Sequence, residues 1–232
     1  FCADHELTLN AFFNGVFGYV LAKYNNKEEA LYTTVYNGRN DSRLAKTVTM
    51  LVKTLPVHCS AAGNRKITDL LTETRDQLVE SMANDIYSFA EIAREYEIKP
   101  DILFVYQGDK SGDSIIAGEK AQPCDVKLDT AKAPISINVF IRNNKFVFAC
   151  EYRSDLYRAD TMQGILQSLS IASGEFLQKN CLKDISLLNE ELANKLAAFN
   201  QTKAAYDKSS VVEQFRQQAA LYPNNKAVVY LD

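Results

Sequence analysis

The run ISINVFIRNNKFVFACEY, Ile135 to Tyr152, decides the fold class. Two stretches of alternating apolar and polar residues flank an Asn143-Asn144 pair, the pattern of an antiparallel β-hairpin closed by a two-residue turn. Just upstream, ILFVYQ (Ile102 to Gln107) reads as a short strand of the buried type. Between the two lies Gly108 to Gln122, polar and glycine-containing, which reads as a loop or excursion. Further back, Ser88-Phe89-Ala90-Glu91 is a capping box that opens a short helix, which Pro100 must follow rather than enter. Ile67 to Met82 is helical, with Ile67, Leu70, Leu71, Leu78 and Met82 near one face. LYTTVYN (Leu31 to Asn37) and TVTMLVKTLPV (Thr47 to Val57) are predicted strands, and Pro56 places the second at an edge or a strand terminus. The first helix is the clearest element. Leu9, Phe12, Phe13, Val16, Phe17, Val20, Leu21 and Tyr24 form one apolar face behind a Thr8 cap.

Downstream of the hairpin, a long helix from about Asp160 to Lys179 carries Met162, Ile165, Leu166, Leu169, Phe176 and Leu177. The composition then turns polar: a helix over Asn189 to Phe199, a linker NQTKAAYDKSS, and a second capping box at Ser210-Val211-Val212-Glu213. Pro223 ends that helix, and Val228 to Leu231 begins a strand. The chain is therefore α/β, a mixed sheet flanked by helices, and its last twenty or so residues look like the start of another domain.

Charge and composition narrow the function. At 232 residues the chain can hold one large domain, or a domain plus a fragment. A net charge of -3 with scattered basic residues (Lys23, Arg65, Arg94) argues against nucleic acid. No apolar run approaches the roughly 18 residues of a membrane span. The opening FCADHELT carries neither a secretory signal nor an initiating Met, so a piece of a longer cytoplasmic polypeptide is expected. Cys2, Cys59, Cys124, Cys150 and Cys181 are widely spaced and read as reduced thiols, mostly core fillers, and not as zinc ligands.

A search for chemistry returns little. There is no phosphate-binding glycine loop, no G-x-S-x-G and no H-E-x-x-H. Of two histidines, His5 lies in ADHE before the first helix and His58 follows Thr-Leu-Pro. Either could be a general base, but no nucleophile or carboxylate pair stands near it in sequence. Glu190-Glu191 sit where a helix N-terminus favours negative charge. No catalytic residue and no metal ligand is assigned.

VYNGRNDSRLAKTVTMLVKTLPV (Val35 to Val57) nevertheless resembles a family pattern. TTVYNGRND resembles the Gly-Arg strand end of nonribosomal peptide synthetase condensation domains. VTMLVKTLPV resembles their G-x-F-V-N-T-L-P-L-R: Thr54, Leu55 and Pro56 match, while Thr49, Lys53 and His58 replace Gly, Asn and Arg. NDIYSFAEI keeps Tyr87 and Phe89 of H-Q-D-Y-P-F-E, and ACEYRSDLY keeps Glu151, Tyr152, Asp155 and Leu156 of E-Y-x-x-D-L-F. FNQTKAAYDKSSVVEQFRQQAALYPNNKAVVY is similar to the linker and opening of an adenylation domain, through Asn200, Thr202, Tyr206, Phe215, Gln218, Ala219, Pro223, Ala227 and Val228.

The resemblance implies one lobe of a chloramphenicol acetyltransferase-like fold, with the active site in a tunnel between two lobes. It divides the chain into a C-terminal condensation lobe (1–188), a linker helix and linker (189–209) and a truncated adenylation start (210–232). The implied reaction joins an amine on one carrier-tethered phosphopantetheine arm to a thioester on another. The family's H-H-x-x-x-D-G motif belongs to the other lobe and is absent from this sequence. Gly38, Arg39, Thr54, Leu55 and Tyr87 would then belong to the tunnel. Other readings stand beside this one: a structural ion pair for Arg39, strand packing for Thr54 and Leu55, and a plain surface loop for the latch-like segment 108–122. The implied partners are the N-terminal lobe, upstream and downstream peptidyl carrier domains and the adenylation domain, with self-association through an uncovered apolar patch. A non-catalytic docking lobe, and an epimerisation or heterocyclisation variant, are alternatives.

Overall fold

The computed structural model describes residues 1–39, 41–44, 46–99, 101–109, 115–120, 130–206 and 208–230. Its organising element is α1 (Leu9–Tyr24). The Thr8 hydroxyl accepts the Ala11 N–H at 3.1 Å, which satisfies one of the donors that a helix start leaves free. The phenylalanine spacing predicts one apolar face, but every residue from Ala11 to Val20 is buried. Three neighbours cover it: α2 (Ile67–Ala83), the sheet and α4 (Ala159–Glu175). Two glycines set how closely they approach. A Cβ on Gly15 would lie 2.6 Å from Leu71 Cδ2, and one on Gly18 would lie 2.5 Å from Cys59 Cβ.

The strands are β1 (Glu29–Tyr36), β2 (Lys53–Ser60), β3 (Ile102–Asp109), β4 (Ile115–Ile116), β5 (Glu119–Lys120), β6 (Ile135–Arg142) and β7 (Lys145–Tyr152). Five of them form a mixed sheet ordered β2-β1-β3-β6-β7. Its two outer pairings are antiparallel, and both pairings of β3, with β1 and with β6, are parallel. Aromatic rings fasten α1 to this sheet: Phe17 stacks on Phe104 at 4.8 Å and meets Tyr32 edge-on at 4.9 Å, while Phe13 meets Phe146 at 4.7 Å. Such contacts add about 0.5–1.5 kcal/mol each beyond the area they bury.

The hairpin is as the sequence predicts. Asn143 and Asn144 take φ of 51° and 56°, the left-handed pair a two-residue turn requires, and the β6–β7 register runs unbroken from Arg142/Lys145 to Ile135/Tyr152. α3 (Phe89–Glu95) carries the predicted capping box; Pro100 lies outside the described residues. Pro56 does fall on an edge strand, β2.

Several expectations need correcting. β2 starts at Lys53, not Thr47, and continues to Ser60, for a reason given below. Of Ile102 to Gln107 only Phe104 is fully buried, because the helices cover one face of the strand. The long helix stops at Glu175, where Phe176 caps it and buries its ring against Phe12 and Tyr19. The described part of Gly108 to Gln122 contains the small β4–β5 hairpin, turned at Ala117 and Gly118.

The contacts divide the chain into Phe1–Asn189 and Glu190–Asp232. The second unit holds α5 (Glu190–Phe199) and α6 (Val211–Leu221). α6 opens on the predicted box: the Ser210 hydroxyl accepts from Glu213 N–H at 3.2 Å, and the Glu213 carboxylate accepts from Ser210 N–H at 2.7 Å. Val228 to Tyr230 is not a strand, having no pairing partner among the described residues; Leu231 lies outside them.

The two kinds of glycine contact give opposite expectations. Gly18→Ala pushes α1 off β2 and should cost about 1–3 kcal/mol in chemical denaturation. Gly174, whose Cβ would meet nothing within 4 Å, should gain roughly 0.5–1 kcal/mol on replacement by Ala.

Candidate functional site

Beyond β1 the backbone makes a turn that only glycine allows. The Asn37 side-chain oxygen accepts the Arg39 N–H at 3.0 Å, and Gly38 between them has φ of 67°. A Cβ on Gly38 would lie 2.1 Å from the Leu51 carbonyl oxygen, so the chain leaving β1 and the chain entering β2 touch through backbone at this point.

Arg39 then organises the intervening loop. Its Nη1 donates to the carbonyls of Leu44 (2.5 Å) and Thr47 (3.1 Å), and its Nη2 to that of Thr49 (3.3 Å). A planar fork with several fixed donors suits this task, and an ammonium does not. Those carbonyls are thereby withdrawn from any strand ladder, which is why β2 begins only at Lys53. Among the described residues the guanidinium has no carboxylate partner: it clamps backbone. At the loop's start Arg43 pairs with Asp41 and holds that carboxyl below its usual range.

The remaining sequence candidates are spread around this loop. Thr54 is half-buried opposite Val35, whereas Leu55, the next residue, turns to the other face of β2 and is buried opposite Thr34. Tyr87 is exposed in the turn before α3. A side chain read only as a departure from the family pattern ties that turn to β2: Lys53 Nζ donates to the Asp85 carbonyl at 2.7 Å and pairs with its carboxylate at 3.0 Å. Val48, Met50 and Val52 on the loop, and Ile86 and Tyr87 on the turn, thus offer exposed apolar side chains on two segments held to the start of β2. Only the polar spacing of the loop, interpreted above as a strand, hinted at Val48 and Met50.

Neither histidine serves this place. His5 stacks on Phe1 at 4.3 Å, its Nδ1 2.9 Å from the Phe1 carbonyl oxygen. His58 lies five residues along β2 from Lys53, about 17 Å away, with Nε2 3.8 Å from Glu29. The described cysteines stand apart from the loop on other segments. Cys2, Cys59, Cys150 and Cys181 are free, with Cys124 outside the described residues. Burial pushes the Cys59 thiol up to about 12 and that of Cys150 up to about 11. Among the described residues no cluster of His, Cys, Asp and Glu could hold a metal, and no helix is long and apolar enough to cross a membrane.

Comparison with known proteins gives this arrangement its family. The condensation domain model matches residues 1–196, and the chain belongs to that family. Bacitracin synthase 2 of Bacillus licheniformis is 26% identical over 225 residues, which is 92% of this chain and 9% of that much longer protein. A four-domain nonribosomal peptide synthetase, crystallised with AMP and glycine, superposes over 97% of this chain and 19% of its own length, with TM-score 0.75 and 15% identity. A mutant starter condensation domain of the rhizomide synthetase superposes over 78% of this chain and 45% of its own, with TM-score 0.67 and 11% identity. The fold is accordingly the mixed sheet of the chloramphenicol acetyltransferase-like condensation domains.

Two measurements test the loop and the core thiol. Gly38→Ala, facing a carbonyl at a positive φ, should cost about 2–4 kcal/mol in denaturation, and Arg39→Lys should open residues 41–52 to limited proteolysis with a smaller loss of Tm. Because the Cys59 thiol ionises near 9.0 when unfolded and about 12 when folded, the unfolded state loses its proton first. Stability should therefore fall as pH climbs through that window, less so in Cys59→Ala after its own cavity cost is subtracted.

Proposed function

We propose that residues 1–188 form the C-terminal lobe of a nonribosomal peptide synthetase condensation domain, and that the segment from 210 opens an adenylation domain. In this reading the whole protein joins an amine, tethered to one carrier domain by phosphopantetheine, to a thioester tethered to another, in the cytoplasm. The partners are the N-terminal lobe, the flanking carrier domains and the adenylation domain.

The observation that carries the reading is the loop itself. Gly38 and Arg39 commit backbone contact and a whole guanidinium to holding Leu44, Thr47, Thr49 and Leu51 in place, yet present no nucleophile or base. A wall that positions reactants while another lobe supplies the base has this character, and orientation alone can account for about 7–11 kcal/mol of a barrier. Thr54 would face the tethered substrates, Leu55 would support it from behind, and Tyr87 with Val48 and Met50 would form the rim. Arg39 acts on the reaction only through the loop, as a positioning residue.

A docking lobe without catalysis is the second reading, favoured by the commitment of Lys53 to Asp85 at a position where the family pattern has Asn. The adenylation-like residues after Asn200 favour condensation over epimerisation.

An amide-formation assay with two loaded carrier proteins separates these readings. It compares this chain alone with the same chain continuous with the couple of hundred residues upstream, about one further domain's length. Product only from the longer polypeptide is expected, and Arg39→Ala in it should slow the reaction about tenfold to a hundredfold. Product from this chain alone would overturn the split site. No product from either, with carrier binding intact, would favour the docking lobe.

A further inference from the structure

The two edges of the five-stranded sheet are built differently. In β2 the residues whose backbone groups point away from β1 are Thr54, Pro56, His58 and Ser60, as the inward bond from Ala61 N–H to the Glu28 carbonyl fixes. That edge is closed. Pro56 has no N–H, the His58 N–H is taken by Gln77 Oε1 at 2.8 Å, and the Ser60 carbonyl is taken by Arg65 Nη1 at 2.9 Å.

The β7 edge has none of these guards. Its sequence KFVFACEY has no proline, and its register against β6 has no bulge. The bond from Arg153 N–H to the Pro134 carbonyl (3.0 Å) continues that ladder and sets its parity: odd-numbered residues of β7 bond to β6. The N–H and C=O groups of Phe146, Phe148 and Cys150 therefore point outward. Among the described residues no hydrogen bond reaches them. The side chains along this edge are half-buried or exposed and mainly apolar, with Lys145 at one end and Glu151 at the other. Neither charge has a salt-bridge partner among the described residues.

The geometry points to β7 as a strand-addition edge whose partner is the same strand of a second copy of this chain, antiparallel across a two-fold axis. Hydrogen-bond parity permits only registers in which even-numbered residues face even-numbered ones. With Phe148 on the axis, Phe146 faces the second copy's Cys150, Val147 faces its Ala149, and Lys145 faces its Glu151, twice by symmetry. A shift by two residues either way sets Lys145 against the second copy's Ala149 or against its Arg153. Charge thus selects one register, seven residues or about 24 Å long. The result is one continuous sheet through both copies. This inference uses a different surface from the Gly38 loop and stands independently of the tunnel reading.

Sedimentation of the 232-residue chain over a concentration series tests it. A monomer–dimer equilibrium is expected, weakened about tenfold by Lys145→Glu or by Glu151→Lys alone and restored by the two together. Cys150→Pro removes an outward N–H and a half-buried thiol but spares the β6 ladder, so it should leave a monomer with unchanged circular dichroism, whereas Cys150→Ala, which loses the thiol alone, should still dimerise. A chain that stays monomeric up to its solubility limit would overturn the inference, leaving β7 to another segment of the parent protein. So would a dimer that tolerates both single charge changes, or single losses that the double change fails to restore.

Discussion

A helix buried on every side constrains everything around it. α1 has no solvent-facing surface along its middle, so each polar group there must find a partner inside the protein. Asn14 meets this demand: its amide donates to the Asn10 carbonyl and side-chain oxygen, both at 2.9 Å, while its own carbonyl accepts the Tyr32 hydroxyl at 2.7 Å. Burial holds that phenol well above its ordinary ionisation range, so it remains a neutral donor. Tyr19 reaches the other way, to the Leu182 carbonyl at 3.1 Å, and binds the segment after α4 to the same helix. The sheet, α2, α4 and the segment around Leu182 therefore share one axis, and the notches at Gly15 and Gly18 set how near α2 and β2 come to it.

What the sequence could announce was chemistry local to a few residues. Thr8, Ser88 and Ser210 cap helices through side chains that reach only three residues on, and Asn143-Asn144 needs only its own two φ angles. What it could not announce was set at a distance. Thr47 to Val52 alternates as a strand does, but the guanidinium of Arg39 captures its carbonyls first. Val228 to Tyr230 has strand composition without a strand to join among the described residues. Gly-Arg was recognisable as special; the use of that arginine, and the tie from Lys53 to Asp85, depend on which segments the fold brings together.

The loop beside β1 is stiffened from within, since the Arg39 guanidinium bonds to three of its own carbonyls. Val48 and Met50 are exposed beside carbonyls already bonded to Arg39. Such a surface is shaped by the chain itself.

The middle of the sheet is a thin seam. β1 and β3 share only the pairs Thr33/Leu103 and Thr34/Phe104, reinforced by the Thr33 hydroxyl on the Ile102 carbonyl (2.8 Å) and the Thr34 hydroxyl on the Phe104 carbonyl (3.0 Å). The antiparallel pairs on either side join strands near in sequence, whereas this seam joins residues some seventy apart and must wait for them. Contacts so distant in sequence carry the larger loop-closure entropy, so this seam is the costliest pairing of the sheet to bring together. With so few backbone pairs to hold it, the seam leans on the two threonine hydroxyls, and losing either should loosen the one place where the two halves of the sheet meet.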